Sequence, residues 1–323
     1  MNRRALLGGL SAAVALGPAV TRAQTAVPGD SRLLCGFPPG GTADILSRIL
    51  AESLKAEVGQ NVIVETKSGA SGFIALETVA NAAPDGRTIG LGPMAAFCVS
   101  PVMPGQKLPI NVDTDLVPIG LVAGVYNLLV VGKHVPFRTV PELIDYAKKN
   151  PGKLTYASTG NGTSQHLAAE LFKKMAGVNL LHVPYRGGAP AIQDMVAGTC
   201  DMMFGNMPEF LGQIAGGGLV PVAFGSSRVS PLLPNVPTIA QTLPGFSVVN
   251  WFGVVGPKGL PAGLVTTWNG AVRAAVAKPD VQKRFVDNAM DSLVGSPEDM
   301  KKTIAADRAK WAEVIQGAGI RAD

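Results

Sequence analysis

The sequence predicts an α/β protein with two domains. Its 323 residues are too many for one small core, and 47% hydrophobic against 16% charged residues excludes a disordered chain. Short apolar segments alternate with amphipathic segments of helical period in two separate series, a pattern that indicates parallel sheets flanked by helices. The 39 glycines and 25 prolines follow no short period, so they indicate many tight connections between short elements.

The first series begins after Arg32. Its predicted elements are strand 33–37, helix 42–58, strand 62–65, helix 74–82 and strand 88–91. In helix 42–58 the apolar residues at positions 45, 46, 49, 50 and 54 share one face, and charged residues occupy the other. This helix is therefore expected to cover one side of a sheet.

The second series begins with a helix opening at Thr139. It continues with strand 154–157, helix 164–176, strand 181–184, helix 189–197 and strands 201–204 and 220–224. A tail of helices follows at 264–277 and 281–289, and a last helix opens at Ser296-Pro297.

Two uncharged extended segments are expected to connect the domains. Residues 116–132 predict strand, bend and strand, and residues 247–255 predict a second crossing. No Gly/Ser-rich or polar linker occurs elsewhere. The predicted domains are therefore 24–127 with 248–323, and 128–247, joined by a hinge of two crossing segments.

The first 23 residues have the features of a cleaved export signal. Arg3-Arg4 is followed by an apolar run to Val20 and a small-residue exit at Ala23. The run is too short and too rich in Gly and Pro for a membrane anchor. The paired arginines leave both the general and the twin-arginine export routes open.

Several classes of chemistry are excluded. The chain has three cysteines without metal-ligand or disulfide spacing, and only three histidines, so no structural metal or disulfide framework is expected. Removal of Arg3, Arg4 and Arg22 with the signal lowers the formal charge from +5 to +2. No cluster of basic residues interleaved with aromatics remains, which argues against a nucleic-acid partner.

The segment 37–44, Phe-Pro-Pro-Gly-Gly-Thr-Ala-Asp, connects a strand to a helix. Gly40 and Gly41 allow close approach of the backbone to a ligand, Thr42 is expected to cap the helix, and the free N–H groups of its first turn form an anion site. The same residues are equally consistent with a turn that only reverses the chain.

A second loop of the same design favours the binding interpretation. Residues 158–166, Ser-Thr-Gly-Asn-Gly-Thr-Ser-Gln-His, again supply glycines and hydroxyls between a strand and a helix. Residues 67–72, Lys-Ser-Gly-Ala-Ser-Gly, form a third such loop. Together these loops predict one polar cleft.

Other motifs carry weaker signals. Residues 90–95 match a dinucleotide fingerprint, but Pro93 and the prolines that follow prevent the required helix. Ser164 and His166 offer a nucleophile and a base of a secreted hydrolase, although no GxSxG elbow or orienting acid accompanies them. Tyr185 and Arg186 end a strand and present a phenol and a guanidinium.

The chain resembles the Bug/TctC family of periplasmic solute receptors. The resemblance covers the mature chain and lies in residues 37–44, in Pro-Asp-Gly-Arg-Thr at 84–88, in residues 151–166, in His-Val-Pro-Tyr-Arg-Gly at 182–187 and in Leu-Pro-Asn-Val-Pro-Thr at 233–238. It implies a two-lobed, type II periplasmic-binding-protein fold and a receptor that presents small carboxylates to tripartite tricarboxylate transporters, without catalysis.

The loops and the resemblance together predict a set of ligand-contacting residues. These are Phe37, Pro39, Gly40, Gly41, Thr42, Asp44, Ala70, Ser71, Met94, Ser158, Thr159, Gly160, Asn161, Ser164, His166, Tyr185, Gly205 and Asn206. Gly205 stands where many relatives have an acidic or polar residue, so we expect no carboxylate there to attract an ammonium group. The apolar loop 93–97 around Met94 predicts a ligand with a less polar body.

The leading hypothesis is a periplasmic receptor for a mono- or dicarboxylate that delivers it to the membrane permease of a tripartite tricarboxylate-type transporter. No cofactor, metal or nucleic acid is expected. The alternatives are the hydrolase of Ser164 and His166, and a receptor that presents its ligand to a sensor protein.

Overall fold

The computed structural model describes residues 26–322, and their secondary structure follows the predicted alternation. The predicted export signal, including its cleavage site near Ala23, lies outside the described residues. The first lobe is built from β1 (Ser31–Cys35), α1 (Thr42–Val58), β2 (Val62–Thr66), α2 (Phe73–Ala80), β3 (Thr88–Pro93) and β4 (Leu116–Val125).

The chain then crosses into a second lobe and returns. That lobe contains β5 (Asn127–Gly132), α3 (Val140–Lys149), β6 (Thr155–Ser158), α4 (Ser164–Ala176), β7 (Leu181–Pro184), α5 (Gly188–Ala197), β8 (Met202–Asn206), α6 (Met207–Ala215) and β9 (Leu219–Phe224). The first lobe is completed by β10 (Asn250–Pro257), α7 (Ala262–Ala277), α8 (Pro279–Asp287), β11 (Met290–Ser292) and α9 (Pro297–Ala318).

Each lobe has one mixed sheet. The six-stranded sheet has the order β11-β4-β10-β3-β1-β2, and the five-stranded sheet has the order β7-β6-β8-β5-β9. β1 is parallel to β2 and β3, and β6 is parallel to β7 and β8. The expected parallel pairing therefore holds for these strands, but the sheets are mixed because β10 and β5 run antiparallel to their neighbours. β5 is the first strand after the chain passes into the second lobe, and β10 is the first strand after it returns to the first lobe. Each therefore starts at the edge of its sheet where the parallel strands end.

The chain passes from the first sheet to the second after β4 and returns before β10. Only Tyr126 separates β4 of the first sheet from β5 of the second. Tyr126 donates a hydrogen bond to Asp291 at 2.9 Å, and Arg228, which follows β9, pairs with the same carboxylate and lies 5.7 Å from the Tyr126 ring centroid. These contacts tie the lobes together beside the crossing.

The helices bury the predicted faces. Leu46, Leu50 and Leu54 of α1 are fully buried against the first sheet, and α1 also packs on α7. In α7, Trp268 is fully buried and donates to the Gly86 carbonyl at 3.0 Å. In α9, Trp311 is buried in a core that also includes residues of the second lobe.

Two short elements were not predicted, namely α6 and β11. α6 contains Pro208 near its start and Gly212 in its interior, so its pattern of helical period is short and interrupted. No helix among residues 26–322 is long and apolar enough to cross a bilayer. Cys35, Cys98 and Cys200 are buried free thiols.

The N-terminus of α9 gives a test of the fold. Ser296 accepts a hydrogen bond from the Asp299 N–H at 3.1 Å, and Asp299 accepts one from the Ser296 N–H at 2.9 Å. Ser296→Ala removes this cap and should cost about 1 kcal/mol of unfolding free energy, which lowers Tm by about 2–4 °C in thermal unfolding. Ser296→Thr keeps a hydroxyl and should retain most of the stability. An unchanged Tm for Ser296→Ala would contradict the role of the cap.

Candidate functional site

A cavity lies between the lobes, at the carboxyl ends of the parallel strands. The lining includes residues from the starts of α1, α4, α5 and α6. Of the residues predicted from the sequence, eight line it: Phe37, Pro39, Gly41, Thr42, Ser71, Thr159, Ser164 and Asn206. Ala70, Gly160 and Tyr185 line a second cavity beside it, which shares Phe37 and Ser71 with the first. The structure therefore brings the three predicted loops to one cleft.

The loop before α1 is held by its own side chains. Gly40 has a φ of +83°, a conformation that favours glycine, and its N–H donates to Asp44 at 3.0 Å. The buried Asp44 carboxylate also pairs with Arg48 at 2.9 Å. Asp44 does not line the cavity, so its place is behind the loop, where it fixes the backbone.

Thr42 does not cap α1, contrary to the expectation. Gly41 is the N-cap residue, and no side chain caps the helix. The Thr42 hydroxyl instead donates to Glu209 of the other lobe at 2.9 Å. Thr42 has this role because tertiary folding brings Glu209 next to it. Glu209 lies on α6, a helix that was not predicted from the sequence.

The loop before α4 is also internally bonded. Thr163 is the N-cap residue of α4, accepts the His166 N–H at 3.5 Å and donates to the Gly160 carbonyl at 2.7 Å. The Gln165 side chain accepts the Thr159 N–H at 2.9 Å. Thr159 and Ser164 thus line the cavity on a fixed backbone, and the Thr159 hydroxyl itself donates to the Gln165 side chain.

His166 and Ser158 lie behind this loop. The rings of Tyr156, His182 and His166 form a stack, with the His182 centroid 4.8 Å from Tyr156 and 4.5 Å from His166. His166 is buried, and its Nδ1 accepts the Gly162 N–H at 3.2 Å. Ser158 is hydrogen-bonded to His182 at 2.6 Å. Neither side chain lines the cavity.

The third loop touches the opposite lobe. Ala70 and Ser71 have φ values of 45° and 54°, which non-glycine residues adopt at a cost in strain. The Ser71 hydroxyl donates to the Asn161 carbonyl across the cleft at 3.0 Å. The backbone carbonyl of Asn161 makes this contact, so the lobes touch at this side of the cavity.

Tyr185 and Arg186 have different environments. The Tyr185 hydroxyl donates to Asp194 at 2.7 Å, and burial together with this carboxylate raises its pKa. Arg186 is exposed and lines both cavities. Next to it, Gly187 has a φ of +118°, and a Cβ there would lie 3.0 Å from Pro38 of the other lobe.

Met94 and Gly205 lie in the core. Met94 is fully buried, although its neighbours Pro93 and Ala95 line the cavity. A Cβ at Gly205 would lie 2.4 Å from the Phe210 ring, so this position packs against α6. The adjacent Asn206 lines the cavity and accepts a hydrogen bond from Asn250 at 2.9 Å.

The structure places in the cavity one acidic side chain, that of Glu209, which was not among the residues predicted from the sequence. Glu209 lies in the first turn of α6, and burial raises the pKa of its carboxyl, although Thr42 and Asn206 donate to it. The expectation that this part of the cleft has no carboxylate is therefore wrong, because Glu209 supplies one four residues after Gly205. Asn206-Met-Pro-Glu, with proline near a helix start and an acidic first turn, was the signal for this helix.

The pKa of Glu209 predicts a pH-dependent effect on stability. The pKa of Glu209 is higher in the folded protein than in the unfolded chain, so between these two pKa values the folded protein binds more protons. The free energy of unfolding therefore falls as the pH rises across this range. Glu209→Gln removes this loss. We expect its gain in unfolding free energy over wild type, measured by urea unfolding, to be larger at pH 8 than at pH 4.

The matched control is Glu313→Gln, an identical change at an exposed position of α9. A gain for Glu209→Gln that stays constant with pH, or that follows the control, would contradict this prediction.

Comparisons with known proteins agree with this geometry. The family model described as "Tripartite tricarboxylate transporter family receptor" matches residues 46–320. A protein encoded between tcbD and tcbE in Pseudomonas sp. strain P51 is 37% identical over 320 residues, 98% of this chain and 94% of its own length. BugT of Bordetella pertussis is 31% identical over 291 residues, 90% of this chain and 89% of its own.

Two solved structures are similar along nearly their whole length. The R. palustris protein Rpa4515 with adipate has a TM-score of 0.87 and 33% identity, and the match covers 91% of this chain and 98% of that one. MatC of Rhodopseudomonas palustris with bound malate has a TM-score of 0.82 and 28% identity, covering 88% and 98%. The fold is therefore the two-lobed fold of periplasmic solute-binding proteins, and the chain belongs to the Bug/TctC family of tripartite tricarboxylate transporter receptors.

Proposed function

We propose that this chain is an exported periplasmic receptor that binds a small organic carboxylate between its lobes and presents it to the membrane permease of a tripartite tricarboxylate-type transporter. The observation that carries the proposal is the meeting of the α1 and α4 N-termini, one from each lobe, at a single cavity lined with hydroxyl groups. Free N–H groups of a first helical turn and hydroxyl hydrogens favour negative charge. The relatives with bound adipate and malate support the same ligand class.

The free energy needed for micromolar binding requires hydrogen-bond donors from both lobes. A helix N-terminus contributes about 0.3–2 kcal/mol to a fixed negative charge, whereas micromolar binding needs about 8 kcal/mol. Several donors must therefore act together, such as backbone N–H groups of the first helical turns and the Ser164 hydroxyl, because the Thr42, Ser71 and Thr159 hydroxyls already donate within the protein. Arg186 at the rim adds a guanidinium, whose planar fork suits a carboxylate.

The alternatives have less support. For a hydrolase, Ser164 would need His166 as its base, but His166 is buried behind the loop, and its Nδ1 accepts a backbone N–H. A receptor that serves a sensor protein would use the same cleft and ligand, and no feature of the cleft favours it over a permease. We therefore propose a receptor without catalysis of its own.

The test of the proposal is ligand charge. Adipate, malate and other small carboxylates should be compared with their complete esters and amides by thermal unfolding at constant pH and ionic strength. At about a hundred times its Kd a ligand adds about 2.7 kcal/mol, so the best acid should raise Tm by about 5–10 °C, while its neutral derivatives should not. Equal stabilisation by the neutral derivatives would contradict recognition of a carboxylate.

A second test addresses the α1 N-terminus. Gly41 has a φ of −80° and a ψ of 167°, an extended conformation open to valine, and a Cβ there would contact only the Pro38 carbonyl, at 3.5 Å. Gly41→Val should fold with a loss of about 1 kcal/mol, because valine is a poorer N-cap than glycine. Because Gly41 lines the cavity, the added branched side chain should weaken binding of the best acid at least tenfold in calorimetry.

Gly41→Ala provides the graded control, since it adds one methyl group and should have a smaller effect on binding. Binding of the acid by Gly41→Val with wild-type affinity would mean that the α1 N-terminus does not contact the ligand.

A further inference from the structure

Glu209 is the feature of the cleft that a simple anion site does not need. One carboxylate oxygen accepts the Thr42 hydroxyl across the cleft at 2.9 Å, and the other lies 3.5 Å from the Gln165 amide, a long hydrogen bond. Among residues 26–322, no cationic side chain pairs with it. A Cβ at Gly188 would lie 2.7 Å from this carboxylate, so glycine at the start of α5 leaves room for it.

Only two of the cavity-lining residues carry charged side chains, and their signs are opposite. Arg186 is exposed at the rim, and within the described part of the chain it makes no ion pair. Glu209 is half-buried on α6 and is not paired with Arg186. The remaining lining is neutral, with hydroxyl, amide and apolar side chains. The cavity therefore has a positive and a negative group available to one ligand.

A half-buried carboxylate without a cation favours a hydrogen-bond donor over a second carboxylate. Its donors are all neutral, namely the Thr42 hydroxyl and N–H, the Asn206 amide and the more distant Gln165 amide, so a ligand ammonium would add the missing positive charge and a ligand hydroxyl or amide would add a closer donor. A ligand carboxylate at the same point would place like charges together in a site with little water. The raised pKa of Glu209 agrees with this, because it indicates that the present donors do not replace the lost hydration.

We infer that Glu209 determines ligand specificity, and that the cleft selects small carboxylates whose other end is a neutral or cationic hydrogen-bond donor over dicarboxylates of the same length. The inference rests on the proposed function. The ligand carboxylate lies at the α4 N-terminus and Arg186, and the donor end lies at Glu209, which is bonded to the α1 N-terminus.

The test compares ligands that differ only at one end. Two sets are used, namely adipate, 6-hydroxyhexanoate, 6-aminohexanoate and hexanoate, and succinate, 4-hydroxybutyrate, 4-aminobutyrate and butyrate. Binding is measured by calorimetry at pH 7.5 and constant ionic strength. In the set that fits the cleft, a donor-ended acid should bind wild type at least tenfold more tightly than both the dicarboxylate and the acid with a methyl end.

Glu209→Gln should reduce the preference over the dicarboxylate to less than threefold, mainly because the dicarboxylate binds more tightly. Gln has nearly the same shape and removes only the charge. Glu313→Gln on the exposed face of α9 should keep the wild-type preference. The wild-type comparison by itself decides the ligand class if the variant does not fold.

The inference is overturned if wild type binds a dicarboxylate as tightly as the donor-ended acid of the same length, or if Glu209→Gln keeps the wild-type preference. A different result would show that the proposed function itself is wrong. If none of the eight acids binds wild type or Glu209→Gln, carboxylate binding itself is contradicted, and this inference fails with it.

Discussion

The direction of the parallel strands determines where the functional loops of this protein lie. The parallel strands β1 and β3 of the first lobe and β6 and β8 of the second lobe all end at the cleft. A helix that follows such a strand must begin there, so the N-termini of α1 and α4 face the same space. The crossing strands β5 and β10 start at this edge and run away from it, which brings Asn250 beside Asn206.

The loops at this edge are shaped before any ligand arrives. Asp44 holds the Gly40 N–H, Gln165 holds the Thr159 N–H, and Thr163 closes the turn before α4. Polar residues that resemble ligand contacts in the sequence therefore serve the backbone, while their neighbours face the cavity. A site preorganised in this way loses less conformational entropy on binding.

Neutral and charged groups have different roles in the cleft. In the proposed function, helix N-termini and hydroxyl-bearing residues of both lobes attract the anion. Glu209 and Arg186 differ in sign, so the lining of the cavity carries both charges. The Thr42 hydroxyl donates to Glu209 across the cleft, so Glu209 also joins the two lobes. The residue that we infer to contact the ligand is therefore also a contact between the lobes.

The sequence by itself determined the α/β class, the alternation of elements and the three loops that meet at the cleft. These are local properties, because hydrophobic period and Gly/Pro punctuation depend only on neighbours along the chain. Tertiary structure decided which side chains of those loops face the cavity. Asp44, Met94 and His166 point away because Arg48, the core and the His182 stack hold them there. It also brought Glu209 to Thr42, 167 residues away, a contact that no local pattern specifies.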